Sequence, residues 1–312
     1  MDVAVQRAMD RLAGLLGRLD AGPRGGEASA RLDEASRQAE ELATLLRRAS
    51  GEHPTSARIA ELVRTVLLGP ADAASDAAAE LERSGVFPAG AGTVVAAVAA
   101  CGAAGARLGA AVAGVRGQLP DARLQLGGAD HEIVVCVAPT GLARGYATLE
   151  RARRRVEADL GEPGARVAVG VGTRRPGLAG AARSYDEARL ALRVARVTGA
   201  RPVACWADLG VYRIAARLAD RGERVEAVHP PLAELMSRTD ATPLLRTLET
   251  YLDTAGNAHA TAAALRVHRA SLYNRLQRLE HLVGTDLKDG GERAVLHVAL
   301  KLGRLTGEHA PG

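Results

Sequence analysis

Strand-like and helix-like patterns alternate in this chain only between Gly92 and Trp206; on either side the residues read as helix alone. Within that window Thr93–Ala100 predicts a strand, Ala103–Leu119 a helix and Ala122–Leu126 a second strand. Gly127-Gly128 then turns into a strand over Glu132–Val137. A helix over Arg144–Leu160, a strand over Arg166–Val171, a long helix over Leu178–Val197 and a strand over Arg201–Trp206 complete the series. One hairpin among alternating helices and strands predicts an α/β sandwich of about 115 residues with a mixed sheet.

The 312 residues suggest two domains or slightly more, at about 150 residues each. With one Trp, one Phe and five Tyr, the core has to be built from Leu, Val and Ala. So few rings exclude a base-stacking platform for single strands. Of 41 basic residues only Lys288 and Lys301 are lysines, which leaves no place for a lysine-centred phosphate loop or Schiff-base chemistry. A net charge of +5 makes any nucleic-acid site local. Cys101, Cys136 and Cys205 are unclustered and lie in or beside apolar runs, as reduced, buried thiols of a cytoplasmic protein do. The first ten residues carry acids and no apolar h-region, so no secretory signal is expected. Residues 84–106 are uncharged but rich in Ala and Gly, which predicts a buried strand running into a helix and no membrane contact.

The flanks complete an α+β multidomain reading. Val5, Met9, Leu12, Leu16 and Leu19 repeat at heptad spacing; residues 21–26 (AGPRGG) interrupt, and Leu32, Ala35, Ala39, Leu42 and Leu46 resume. That spacing serves either a coiled coil pairing subunits or an amphipathic pair packed on its own chain. Residues 1–50 are accordingly a helical N-terminal segment and 51–91 a helical lead-in, with helices over Ser56–Leu68 and Ala71–Arg83. Residues 92–208 form the α/β unit and 209–312 an all-helical C-terminal domain. There Thr242-Pro243 reads as a helix start with Thr as N-cap, and Gly256 as a C-cap.

The strongest local signal spans residues 257–283. Asn257 caps a short helix to about Leu265, in which Ala262 and Ala263 are small enough for a second helix to cross closely. Arg266–His268 turns, and a helix runs from about Arg269 to Leu282 with His268 as its cap. Leu272, Leu276, Leu279 and Val283 form one apolar stripe, packed through Leu265 and Val267. The free face presents Ala270, Ser271, Asn274, Gln277 and Arg278, with Tyr273 and Arg269 at its edge. Arg266, Arg269, Arg275 and Arg278 fall between Leu265 and Leu279 with no acid among them. Such a helix has what major-groove reading requires: an anchored stripe, short polar groups for base edges and arginines for phosphates. An amphipathic hairpin with solvated arginines shares the same pattern.

Residues 244–302 resemble the C-terminal domain of the PucR/CdaR family of bacterial transcription regulators. The resemblance is carried by Leu244-Leu245, Thr247-Leu248, Tyr251-Leu252, Gly256-Asn257, Thr261-Ala262, Leu265, Val267-His268-Arg269, Leu272, Arg275-Leu276, Leu279-Glu280, Gly284 and Leu287. The chain departs from the family's usual Asn-Thr at Ala270-Ser271 and from its Tyr at Asn274. Upstream, Val169–Gly172, Ser184-Tyr185, Glu187-Ala188 and Ala191-Leu192 resemble the family's degenerate GGDEF-like domain. The resemblance implies binding to double-stranded DNA and an unidentified small-molecule effector, with no cofactor; because one such motif reads only about half a site, a homodimer or higher is expected. Asn257 would cap the first helix and touch a phosphate. His268 would cap the recognition helix. Ala270, Ser271, Tyr273 and Asn274 would face the major groove, with Arg269, Arg275 and Arg278 on phosphates or guanine.

A GGDEF-type fold raises the question of cyclic-dinucleotide synthesis, which needs carboxylates to hold Mg²⁺ against triphosphates. Thr93–Gly105 contains no acid and the hairpin reads GGADHE, so no enzyme is expected. Gly170-Val171-Gly172 lacks the third glycine of a dinucleotide fingerprint, and no His pair has metal-ligand spacing. The arginines at 151 and 153–155 read as a solvated helix face. A rival reading keeps an effector-sensing or partner-binding α/β protein whose helical C-terminus only dimerises.

Overall fold

The computed structural model describes residues 54–101, 105–115, 124–127, 133–139, 146–161, 164–199 and 201–309, with isolated helical positions between 9 and 42. The hairpin turn at 128–132 and most of the N-terminal heptad positions lie outside the described residues; of those positions Met9, Ala35, Ala39 and Leu42 are helical, with Ala35 buried and Met9 and Ala39 exposed. Helices α1 (Ser56–Leu68) and α2 (Ala71–Arg83) take the spans that their sequence predicts. Thr55 accepts a hydrogen bond from Arg58 N at 3.3 Å to open α1. Gly69-Pro70 closes it, since a proline disfavours helical backbone in the residue before it. The pair packs Leu62, Val63, Val66 and Leu67 on one side against Ala74, Ala77, Ala78 and Leu81 on the other.

Five strands form a mixed sheet in the order β2-β3-β1-β4-β5. They are β1 (Thr93–Cys101), β2 (Leu124–Gly127), β3 (Ile133–Pro139), β4 (Arg166–Val171) and β5 (Val203–Cys205). Every neighbouring pair is antiparallel except β4 with β5. The central β1 is buried on both faces, which accounts for its lack of charge. Val94, Ala96, Val98 and Ala100 share a core with α3 (Gly105–Gly114) and α4 (Tyr146–Leu160). Val95, Ala97 and Ala99 point to the opposite layer, held by α1 and α5 (Ala181–Thr198). The predicted long helix therefore begins as one 3-10 turn, Leu178–Gly180, before α5. The last strand stops short because Trp206 enters a 3-10 turn, buried beneath the Arg217 guanidinium at 5.3 Å.

The residues that carry the GGDEF-like resemblance prove to be packing devices. A Cβ on Gly170 would stand 2.1 Å from Ala188 O and 2.2 Å from Leu192 N; one on Gly172 would stand 1.9 Å from Ser184 O. Two glycines two apart thus let α5 lie directly on β4. Ser184 Oγ then accepts from Val95 N at 3.0 Å, and Glu187 accepts from Thr173 N at 2.8 Å and from Arg175. The arginine run on α4 is the expected solvated face at Arg151, Arg154 and Arg155, which are exposed, and departs from it at Arg153. Arg153 is buried, bonded to Glu150, Glu157 and Val167 O, while Arg154 pairs with Glu150 and Arg155 with Asp159. Each acid lies three or four residues from its arginine, one helical turn away.

From Leu209 onward the described chain is helical: α6 (Tyr212–Asp220), α7 (Val225–Val228), α8 (Pro230–Ser237), α9 (Thr242–Asp253), α10 (Ala258–Leu265), α11 (Arg269–Val283) and α12 (Gly290–Thr306). One apolar core runs without interruption from Leu62 on α1 to Leu305 on α12. Polar contacts reinforce the joint: Arg189 grips Asp220 with two bonds of 2.7 and 2.8 Å, and Arg193 donates to Leu305 O at 3.1 Å.

Candidate nucleic-acid interface

Helix α9 is the platform on which the C-terminal motif is assembled. The sequence predicts Thr242 as its N-cap, but Ala241 holds that position with helical backbone and no side-chain cap. Leu244 N and Leu245 N both bond to Ala241 O, so the helix begins a residue earlier than the Thr-Pro signal implies. Nor is Gly256 the C-cap: that is Thr254, followed by Ala255 and Gly256 with φ of 54° and 78°. Gly256 N bonds back to Tyr251 O at 2.8 Å, and the chain reverses into α10.

Asn257 Oδ1 accepts from Ala260 N at 3.0 Å, the cap expected for α10. Thr261 is buried, bonded through its hydroxyl to Asn257 O and to Thr254 Oγ1. Only Ala262 of the predicted alanine pair lies in the crossing, whereas Ala263 is exposed. Arg266 turns the chain at φ 55°, a left-handed conformation that side chains other than glycine seldom take. His268 then caps α11, its Nδ1 accepting from Ala270 N at 3.3 Å.

On α11 the stripe Leu272, Leu276, Leu279 and Val283 is buried against α8, α9 and α10. Ala270, Ser271, Asn274, Gln277 and Arg278 are exposed, as are His268 and Arg269, and Tyr273 keeps 51% of its surface in solvent. The face that the sequence assigns to a partner is therefore left open by the fold. Arg275 is the exception. It is half-buried and donates to Thr247 Oγ1 on α9 at 3.3 Å. One turn further, Arg278 lies in the field of Asp240, whose carboxyl is held below its usual range by its ion pair with Arg238 and in smaller part by Arg278.

Behind this surface α9 is locked to α12 by buried charges that local spacing did not reveal. Glu249 Oε1 accepts from Lys301 Nζ at 3.0 Å and from Arg304 Nε at 2.7 Å, and Oε2 accepts from Arg304 Nη2. Lys301 also donates to Asp253 at 2.9 Å and lies 5.4 Å from the centre of the Tyr212 ring. Burial alone would raise the Glu249 pKa. His309, Arg304 and Lys301 more than offset it and hold the carboxylate far below its usual range. His229 supports the other end of α11: its Nδ1 accepts from Leu232 N at 3.1 Å while Nε2 meets Thr285 Oγ1 at 3.1 Å. Burial depresses its pKa.

An anchored helix preceded by a short capped helix and a tight turn, set behind an α/β sheet, is the architecture of a helix-turn-helix protein with an upstream accessory unit. Residues 244–302 match the PucR C-terminal helix-turn-helix domain and residues 89–194 the GGDEF-like domain. The chain is similar to the proline-responsive transcriptional activator PutR of Bacillus subtilis, 29% identical over 138 residues covering 43% of this chain and 34% of PutR. It is also similar to the purine catabolism regulatory protein of the same organism, 42% identical over 62 residues, 20% of this chain and 12% of that protein. The matched stretches thus span about a third and an eighth of those relatives' lengths. A regulator of polyketide synthase expression from Bifidobacterium adolescentis overlays 81% of this chain and 99% of its own at 19% identity. Its TM-score of 0.36 is too low to equate the two arrangements. The chain therefore carries a GGDEF-like domain and a PucR-type helix-turn-helix domain, and over these stretches it is similar to PucR-type transcription regulators. No helix among the described residues is long and apolar enough to cross a membrane.

Proposed function

We propose that α11 enters the major groove of double-stranded DNA and that the chain regulates transcription by reading a pseudo-palindromic operator as a homodimer. One observation carries this reading: the leucine stripe of α11 is consumed by packing while its acid-free, arginine-bordered face stays exposed. Ala270, Ser271, Tyr273 and Asn274 read base edges. Arg269 and Arg278 hold phosphates or guanine, and Asn257 and His268 cap the two helices beside the backbone. A dimer doubles the sequence read, with half-sites about 34–36 Å apart. By analogy with the proline-responsive relative, a small-molecule effector biases the regulator. The functional units are taken as 1–50, 51–91, 92–208 and 209–312, in a cytoplasmic protein.

Gel-shift of the purified chain against genomic fragments, its own upstream region included, tests the reading. A salt-sensitive shift confined to a few fragments is expected, with two protomers per duplex. A chain that retards no fragment even at low salt overturns it. The acid-free run Thr93–Gly105 also argues against a cyclase, so incubation with GTP and Mg²⁺ is expected to yield no cyclic dinucleotide.

A further inference from the structure

We infer that Arg275 is a positioning residue: it sets the angle of the recognition helix against α9 and does not itself contact nucleic acid. The inference deepens the DNA-binding reading and rests on it. Of the four arginines between Leu265 and Leu279, Arg266, Arg269 and Arg278 are exposed and only Arg275 is half-buried. Its partner Thr247 has no exposed surface at all. The threonine hydroxyl donates to Pro243 O at 2.7 Å, so its proton is committed. What remains toward α11 is a lone pair, and Arg275 Nη1 meets it at 3.3 Å.

The chemistry of that pair favours an anchor. An arginine turned toward a backbone phosphate gains from being exposed and free of intramolecular acceptors. Here the guanidinium is drawn to the flank of α11 opposite Tyr273, toward a neutral acceptor on α9. Arg278, one turn along the same flank, remains exposed beyond it. The α9-facing flank of α11 therefore carries two arginines with different tasks. A helix resting only on an apolar stripe can roll about its axis at little cost. A directional bond at one edge opposes that roll, and a small roll would displace Asn274 and Ser271 relative to base edges while leaving phosphate contacts available.

The test compares Arg275→Met, Thr247→Val, the double variant and Arg278→Met. Operator affinity is measured across a salt series, base preference by selection on randomised operators, and stability by urea unfolding. Arg275→Met is expected to weaken operator binding about tenfold, the size of one charged hydrogen bond. It should leave the salt slope unchanged and broaden the selected site. Thr247→Val should do the same, and the double variant should be no worse than either single change, in DNA binding and in urea. Arg278→Met should instead lower the salt slope by about one unit. A slope lowered by about one unit in Arg275→Met would make it a phosphate contact and overturn the inference. So would losses from Arg275→Met and Thr247→Val that simply add. If the parent chain binds no DNA, the recognition reading falls with it, while the urea cycle still reports whether the Arg275–Thr247 contact exists.

Discussion

Replacing Glu249 by Gln strikes the buried charge cluster that ties the helix-turn-helix platform to α12. The side chain is buried, and its two oxygens accept from Lys301 Nζ at 3.0 Å, Arg304 Nε at 2.7 Å and Arg304 Nη2. Glutamine keeps one acceptor but turns an amide donor toward a lysine and an arginine, leaving buried positive charge undercompensated. Breaking one partner of such a cluster costs about 3–5 kcal/mol. Asp253 still pairs with Lys301, so the lower figure, about 3 kcal/mol, is expected for Glu249→Gln. Urea unfolding at neutral pH measures it as a lowered midpoint with unchanged slope. The same carboxylate defines an acid limb. Its folded pKa lies below the unfolded value, so its contribution is complete above about pH 4.3 and is lost as the pH falls further. The parent should therefore lose stability more steeply than Glu249→Gln between about pH 4.5 and 3. A loss under about 1 kcal/mol, or parallel acid limbs, would refute the reasoning.

Gly170→Ala should destabilise by about 3 kcal/mol or more, because a Cβ there meets three backbone atoms of α5 that no rotamer change can clear. Gly199→Ala, with left-handed φ but open space around it, should cost only about 1 kcal/mol, and urea midpoints separate the two. His229 must lack a proton on Nδ1 to accept from Leu232 N, and its folded pKa is depressed by burial. Its contribution is therefore present above about pH 6.5 and declines as pH falls. Unfolding free energies at pH 7.5 and 5.5 should differ more in the parent than in His229→Asn, and equal differences would exclude that role. Asn274, exposed at the centre of the free face of α11, should alter base preference more than affinity when changed to Ala. Recovery of the parental site from a randomised-operator selection would contradict this.

Features written in local spacing were legible before the fold was seen. The spans of α1, α2 and β4, the caps Asn257 and His268 and the stripe Leu272–Val283 all depend on residues a few positions apart. Contacts between distant residues were not legible. Lys301 reads as one of two lysines, yet it meets a glutamate 52 residues away. Arg275 has its Cα at the edge of the free face, and only Thr247, 28 residues upstream, reveals where its side chain turns. Arg153 looked solvated because its helical neighbours are charged; those neighbours are its own partners. Thr242 failed as a cap because the carbonyl of Ala241 already serves two amides of the first turn.

The uninterrupted core from Leu62 to Leu305 bears on how such a regulator can be taken apart. A chimera spliced at residue 209 would sever shared packing and strip Arg189 and Arg193 of their acceptors on the far side. Any graft that exchanges the front half of this protein for another should carry the sheet along with the helices that follow it.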